Sequence, residues 1–249
     1  MTSSAHTVRL PAATPLPVLD GQTARRALGA LLVVEALLAF APVAVLGPAF
    51  GWPKSLRDPA ATQLLAIGGQ PAALSFGYSL YLLYSILVAP ALIGLAGRVF
   101  GGLARPVAAT VAAFAALSAL ARAIGILRWL TVMPELARSY ATADATGRAR
   151  IELVFDAITL YGGGIGELLG VSLFMALALG LLCVGAWRSR AMPYWLAGAG
   201  IVTALLLAAI AAPALGLPIG APIATATSML SLWMLAAGFW VVRRTRFNA

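Results

Sequence analysis

Six long apolar stretches fill most of this chain, and nearly every charged residue lies between them. Each stretch is long enough to cross a bilayer as a helix, because about 20 residues at a rise of about 1.5 Å span a hydrocarbon core of about 30 Å. A backbone in lipid must satisfy its own hydrogen bonds, and these stretches lack the alternation of polar and apolar residues that barrel strands show. The sequence therefore predicts an all-α, polytopic integral membrane protein with six transmembrane helices. The predicted spans cover residues 27–50, 74–95, 106–130, 161–187, 194–215 and 222–242.

The composition excludes several other classes of protein. Hydrophobic residues make up 61% of the 249 and charged residues 10%, whereas an ordinary soluble domain has about 25% charged residues. The net charge of +9 does not indicate nucleic-acid binding, because the basic residues gather at the ends of the apolar stretches and form no continuous stripe. The single cysteine, Cys183, cannot form an internal disulfide, and the only histidine, His6, precedes the first span. The predicted partner is therefore the lipid bilayer, and no nucleic acid is expected.

The distribution of basic residues predicts the orientation of the protein. With the loops assigned alternately to the two sides, ten of the 17 basic residues lie on the side of both termini and five lie on the other side. The positive-inside rule then places the N-terminus and the C-terminus in the cytoplasm. Arginine outnumbers lysine 16 to one, as is typical of a GC-rich bacterium. We therefore expect a multi-pass protein of a bacterial cytoplasmic (inner) membrane.

The N-terminal segment is predicted to lie outside the membrane. Residues 1–24 contain no compact apolar run and are expected to form a disordered cytoplasmic tail, with the six-helix domain covering residues 25–246. A cleaved signal peptide is the alternative, because Arg25 and Arg26 precede an apolar run with small residues near Ala39. The length of that run and Glu35 within it favour a retained span.

Two connections between the spans are expected to have some local structure. Residues 131–150 form the longest polar connection, and Pro134 should end the third helix there. Between the first two spans, the run ATQLLAIGGQP that follows Trp52 is expected to form a short interfacial turn on the outer face.

A few charged side chains lie inside or beside the predicted spans. Each costs roughly 2.5 to 3.5 kcal/mol in hydrocarbon, so such residues persist where they are paired, hydrated or useful. Arg122 and Arg128 lie about 24 and 33 Å along the third span, and Glu167 lies at a depth between them in the fourth. Asp156 and Glu167, eleven residues apart, share a face if the helix is regular. We predict a polar cluster near the outer face in which Glu167 pairs with one of the two arginines. Its candidate members are Arg122, Arg128, Glu135, Asp156 and Glu167.

Glycines surround Glu167 in the run YGGGIGELLG. Gly162, Gly166 and Gly170 recur at a spacing of four, a pattern that allows a second helix to approach closely, and Gly163 adjoins them on the face of Glu167. The run follows no strand, so it does not indicate a dinucleotide-binding site. We expect these four glycines to serve helix packing.

Glu35 is predicted to be an isolated carboxyl inside the membrane. It lies roughly 12 Å into the first span, and the sequence places no basic residue at that depth. Without a cation nearby, this carboxyl should hold its proton and form a hydrogen bond with a hydroxyl such as that of Thr203 or Ser231. A neutral cross-link between helices is the favoured role, and a proton carrier is the alternative.

The sequence lacks the motifs of the common catalytic centres. It has no HExxH, no serine–histidine pair, no group of cysteines and histidines with zinc-ligand spacing, and no phosphate-binding GxxxxGK[ST]. We therefore predict no catalytic residue, no metal and no cofactor, and an enzymatic function has the least support.

Three segments resemble a known family. The pattern RAIGILRWLTVMPELARSY, followed by YGGGIGELLG and then by MPYWLAGAGI, is similar to the bacterial membrane-protein family catalogued as domain of unknown function 4386. The resemblance implies a multi-helix membrane protein over most of the chain beyond the tail. It also implies that Arg128, Trp129, Pro134, Glu135 and Glu167 belong to the shared motif region. The family has no assigned activity and therefore implies no mechanism.

The sequence leaves two functions open. In the first, the protein is transporter-like or ligand-sensing, and a small solute or ion exchanges with the polar cluster. In the second, it is a structural or accessory membrane subunit whose buried charges only fix which helices are neighbours. The sequence does not predict the oligomeric state, the solute or a coupling ion.

Overall fold

The computed structural model describes residues 21–243, which are almost entirely helical and contain no β-strand. A π-helix, Gly164–Phe174, joins two α-helices without interruption, and short 3₁₀ turns cover Lys54–Arg57 and Ala212–Leu215. The α-helices are Gly21–Leu38 (α1), Ala41–Phe50 (α2), Ala60–Gly69 (α3), Pro71–Phe100 (α4), Pro106–Leu130 (α5), Val132–Thr142 (α6), Ala145–Gly163 (α7), Met175–Ser189 (α8), Tyr194–Ala211 (α9) and Ile223–Arg243 (α10).

Within residues 21–243, six helical units are long and apolar enough to cross a membrane, which confirms the predicted fold class. The helices α4, α9 and α10 each provide one unit, whereas the first combines α1 with α2, the third combines α5 with α6, and the fourth combines α7, the π-helix and α8. The first unit breaks at Ala39 and Phe40, because Pro42 cannot donate a backbone hydrogen bond to the carbonyl of Leu38. Apolar side chains such as Leu205, which is 66% exposed, cover the outside of the bundle. The protein is therefore a multi-pass membrane protein whose outer surface contacts lipid.

The segment that follows α5 is more helical than predicted. Pro134 lies in the first turn of α6, and α5 ends at Leu130, the residue whose carbonyl a proline at position 134 leaves without its helical donor. The expected break is thus present at Thr131, but α6 and the start of α7 occupy the segment that we predicted as a polar connection. The carboxylate of Asp144 caps α7 by accepting a hydrogen bond from the backbone N–H of Gly147 at 2.8 Å.

Two further boundaries differ from the prediction. The run after Trp52 forms the helix α3 rather than a turn, because Ala60, Leu64 and Ile67 recur at helical spacing and are buried on one face. The first helix begins at Gly21, inside the segment predicted as the tail. The rest of that tail, residues 1–20 with His6, and the end of the predicted domain, residues 244–246, lie outside the described residues.

The helix α5 lies at the centre of the fold, packed against α4, α8 and the π-helix, while α1 packs mainly against α10. Two clusters of buried apolar residues surround it. The large cluster reaches as far as Ala119 on α5, and the smaller, aromatic cluster begins at Ile126 and includes Trp129. Arg122 therefore lies on α5 between the two clusters. At this junction the protein contains a cavity.

The π-helix Gly164–Phe174 extends the fourth unit past that junction. A π-helix has more residues per turn than an α-helix, is rare, and occurs frequently at functional sites. As a consequence, residues before and after Gly164 do not keep α-helical phase.

Candidate binding cavity

A cavity of about 50 Å³ lies beside α5 at the junction of the two core clusters. Three charged side chains, those of Arg122, Arg128 and Glu167, line it, and all three belong to the predicted polar cluster. By volume it has room for on the order of three water molecules. The cavity thus combines charge, space and a position inside a membrane-spanning bundle.

Arg122 is the most deeply buried charged residue of the cavity, with 2% of its surface exposed. Its Nε, Nη1 and Nη2 atoms have no hydrogen-bond partner. The guanidinium carbon lies 5.3 Å from the ring centroid of Tyr84 on α4, a distance at which a cation is attracted to an aromatic face. This contact compensates only part of the cost of burying a charge, so Arg122 presents a set of strong, unused donors.

Arg128 lies six residues, about 1.7 turns, further along α5 and is half-buried. Its guanidinium carbon is 5.4 Å from the ring centroid of Trp129, and its Nε is buried without a hydrogen-bond partner. Glu167 acts on it electrostatically across the cavity. Arg128 therefore also keeps a donor free for a third group.

Glu167 lies on the π-helix with its side chain exposed, and it lines the cavity. In the described part of the chain, no direct ion pair joins it to either arginine. The predicted pairing of Glu167 with an arginine is thus present only as an electrostatic interaction with Arg128. The open arrangement leaves space between the charges.

The glycines on α7 and the π-helix make room for α5. A methyl group added at Gly162 would lie 2.5 Å from Nη1 of Arg128, and one added at Gly170 would lie 2.8 Å from Cγ of Arg122. Between these two positions, Gly166 faces Gly125 of α5. The fourth predicted glycine, Gly163, is less closely packed, since a methyl group there would lie 3.7 Å from Nη2 of Arg128. The glycine series thus accommodates the two arginines as well as the helix that holds them.

Two members of the predicted cluster lie away from the cavity. Glu135 forms an ion pair with Arg138 on the exposed surface of α6. Asp156 is exposed on α7 and does not line the cavity. Asp156 and Glu167 are both exposed, and of the two only Glu167 lines the cavity, so their shared face stays a prediction.

Glu35 lies in a different environment from the one predicted. The hydroxyls of Thr203 and Ser231 donate to backbone carbonyls of their own helices, at 2.8 Å and 3.1 Å, and neither binds the carboxyl. Arg122 is the charged residue that acts on Glu35 electrostatically, so the carboxyl is not isolated. The predicted depth of Glu35 in the membrane was wrong because α1 starts at Gly21. This start places Glu35 about 21 Å along the helix, close to the depth of Arg122.

Aromatic side chains form the opposite wall of the cavity and were not predicted. Tyr78 stacks on Trp129 with ring centroids 4.9 Å apart, and Trp52 contacts Tyr81 edge-on at 5.8 Å. The spacing of tyrosines at positions 78, 81 and 84, on one face of an otherwise apolar span, was the available signal. These rings offer flat apolar surfaces next to the charged groups.

A second cavity of about 160 Å³ adjoins the first. Trp52, Leu56, Tyr78 and Trp129 line both, so these four side chains form the partition between them. The second cavity lies against α2, α3 and the Lys54–Arg57 turn, where the chain connects the first two membrane-spanning units. The charged cavity thus adjoins a larger space at one end of the bundle.

A family model matches most of the chain. The family described as domain of unknown function (DUF4386) matches residues 27–238, a range that contains every residue lining the charged cavity. The match confirms the resemblance found in the sequence. No curated protein and no solved structure matches the chain significantly.

Proposed function

Because this chain belongs to the family described as domain of unknown function 4386, a description without an activity, we propose a function from the cavity itself. The protein binds a small anion between Arg122 and Arg128, as a transporter or a ligand sensor. The observation that carries the proposal is the buried guanidinium of Arg122, whose three nitrogens have no hydrogen-bond partner although it lines a cavity. Guanidinium groups recognise carboxylate and phosphate oxygens through paired N–H donors.

The charge balance and the walls of the cavity favour an anion with an apolar part. Two arginines face one carboxylate, Glu167, so the cavity has a net positive charge when all three are ionised. The rings of Tyr78, Tyr81 and Trp129 can contact the apolar part of a ligand. A small aromatic or aliphatic carboxylate fits both features when its carboxylate lies in the charged cavity and its apolar part extends past Tyr78 and Trp129 toward the adjoining cavity of about 160 Å³.

An orientation with both termini in the cytoplasm would put this site in the outer half of the membrane. The excess of basic residues near the termini supports cytoplasmic N- and C-termini and a bacterial cytoplasmic membrane. The second cavity, beside α2 and α3, then faces the outer side. In this arrangement the solute enters from outside the cell.

A purely structural role for the charges has less support. Helix α5 is already fixed on the π-helix by the close approach of Gly125 to Gly166 and by a buried hydrogen bond from the Ser118 hydroxyl to the carbonyl of Gly170, at 2.8 Å. A structural ion pair is expected to be closed, whereas Glu167 forms no direct ion pair with Arg128. If the charges only fixed helix neighbours, the exchanged pair Glu167→Arg with Arg128→Glu would restore the stability that either change alone removes.

Benzoate binding to the purified protein in lipid nanodiscs tests the proposal. We expect saturable binding, with an affinity that falls at least about tenfold in Arg128→Gln, because a charge-assisted hydrogen bond to a guanidinium contributes roughly 1.5 to 3 kcal/mol. Arg138→Gln is the matched control, since Arg138 is an exposed arginine on α6 outside the cavity. Isothermal titration calorimetry measures both affinities. Absence of saturable binding at up to about 10 mM benzoate, or an equal loss in both variants, would contradict the proposal.

A further inference from the structure

The second cavity has a polar edge that is formed by one short segment of the chain. Its four members line the second cavity and do not line the charged one: Ser55, Asp58, Thr62 and Gln63. They belong to the Lys54–Arg57 turn, to the connection after it and to the first turn of α3. The other residues that line the second cavity are apolar or aromatic and include the four that form the partition. This cavity therefore extends from the aromatic partition to the polar edge.

Asp58 is the one charged residue among the described residues that line the second cavity. Lys54 and Arg57 lie on the adjacent turn but line neither cavity, and in the described part of the chain no ion pair joins them to Asp58. Asp58 also lies just before α3, where a carboxylate can cap a helix, yet α3 begins without a side-chain cap. The negative charge of Asp58 thus serves neither an ion pair nor a helix cap.

Hydrogen bonds fix the backbone of Asp58 at the polar edge. The side-chain amide of Gln63 donates to the backbone carbonyl of Asp58 at 2.7 Å. The backbone N–H of Asp58 donates to the carbonyl of Ser55 at 3.0 Å, and that of Gln63 donates to the carbonyl of Pro59 at 3.1 Å. Asp58 is therefore held beside the second cavity by the fold of residues 55–63.

The two adjoining cavities carry opposite charges. Arg122 and Arg128 outnumber Glu167 in the charged cavity, whereas Asp58 gives the second cavity a negative charge. The partition between them consists of a leucine and three aromatic side chains. A few polar groups in a mostly apolar pocket fix the orientation of a ligand and determine its specificity. The arrangement is complementary to a molecule with a carboxylate at one end, an apolar spacer and a cationic group at the other end.

We infer that the ligand is an amino carboxylate whose protonated amine lies in the second cavity beside Asp58. This inference rests on the proposed function and names the ligand class of the same site. The carboxylate binds Arg122 and Arg128, and the ammonium group donates hydrogen bonds to the carboxylate of Asp58 and to the hydroxyls of Ser55 and Thr62. A dicarboxylate is disfavoured, because its second carboxylate meets the like charge of Asp58.

Three ligands of equal chain length that differ only at the far end test the inference: ε-aminohexanoate, heptanoate and heptanedioate. At about pH 7 the amine is protonated and all carboxylates are ionised. By calorimetry with the full chain in nanodiscs, we expect ε-aminohexanoate to bind at least about threefold more tightly than heptanoate, and heptanedioate to bind more weakly than heptanoate. The expected ratio is modest because Asp58 is exposed, and solvent weakens its attraction for a cation. The same comparison with spacers two methylene groups shorter and longer covers the separation of the two charged ends.

Asp58→Asn and Asp156→Asn form a matched pair of variants. Both aspartates are exposed, but Asp156 lies on α7 and lines neither cavity. We expect Asp58→Asn to lose the preference for the amine and to retain the affinity for benzoate, which has no group to pair with Asp58. Asp156→Asn should keep the preference unchanged.

The outcomes separate this inference from the proposed function. If benzoate binds but the amino carboxylate has no advantage over its methyl-ended counterpart at any length, the inference is overturned and the proposed function stands. A preference for the amine that persists in Asp58→Asn overturns the inference in the same way. Absence of binding by benzoate and by all the other carboxylates overturns both. The comparison of ligands on the unchanged protein needs no substitution, so it decides the question even where a variant does not fold.

Discussion

Replacing Arg122 by methionine in a protein that also carries Glu35→Gln is expected to abolish anion binding while making the fold more stable. With a neutral glutamine at position 35, the guanidinium is a buried charge without a counter-charge, and its contact with Tyr84 offsets only about 1 to 2 kcal/mol of its cost. Methionine fills similar space without a charge. We expect the free energy of unfolding to rise by about 1 to 2 kcal/mol and the affinity for benzoate to fall at least about 100-fold.

The expected gain in stability together with the expected loss of anion binding distinguishes a binding role of Arg122 from a structural one. Removing a residue that serves the structure is expected to lower the stability of the protein. Removing a residue that serves binding is expected to raise it, because such a residue lowers the stability while it is present. Unfolding in a denaturing detergent, monitored by tryptophan fluorescence, measures the free energy of unfolding. Isothermal titration calorimetry measures the affinity for benzoate. Arg138→Met in the same background should change neither by a large amount, because Arg138 is exposed and its surface ion pair contributes little. A double variant that is less stable than Glu35→Gln would contradict the binding account of Arg122.

Gly125→Ala is expected to cause the largest loss of stability from a single methyl group. At this position a methyl carbon would lie 2.8 Å from Cα of Gly166 and 2.9 Å from the carbonyl oxygen of Gly162. Both contacts are with backbone atoms, which cannot move out of the way without separating α5 from the fourth unit. We expect the free energy of unfolding to fall by about 2 to 3 kcal/mol. The same detergent-unfolding measurement follows it.

Gly164→Ala is the matched control for that substitution. Gly164 belongs to the same helical unit, but a methyl group there would meet no atom within 4 Å. Since alanine favours helices over glycine, we expect the stability of this variant to be unchanged or higher by up to about 1 kcal/mol. Equal destabilisation by the two substitutions would mean that backbone flexibility, and not close approach, explains the glycines.

The spans and the polar character of the site were predictable because they depend on composition along single helices. Six apolar stretches and the positions of Arg122, Arg128 and Glu167 within them follow from helical rise alone. The amphipathic helix α3 was missed because its apolar residues pack against a neighbouring layer that only the folded chain provides.

The predicted depth of Glu35 was wrong because the start of a helix sets the depth of every side chain along it. The first helix begins earlier than predicted, and this places Glu35 at the depth of Arg122. The aromatic wall required Trp52, from a loop, to contact Tyr81 of α4. Such a contact between distant segments has no periodic signature in the sequence.

The most direct test of the account is whether water and ions from the outer side reach the charged cavity. In right-side-out vesicles, with Cys183 replaced by alanine, the variant Glu167→Cys is treated with a membrane-impermeant, negatively charged thiosulfonate reagent. Leu205→Cys serves as the control, because Leu205 is 66% exposed on α9 and lies near the middle of its span. We predict rapid labelling at position 167 that benzoate slows, and no labelling at position 205. An unreactive thiol at position 167, equal to that at position 205, would show that the three charges face lipid or a sealed interior, and it would contradict the account.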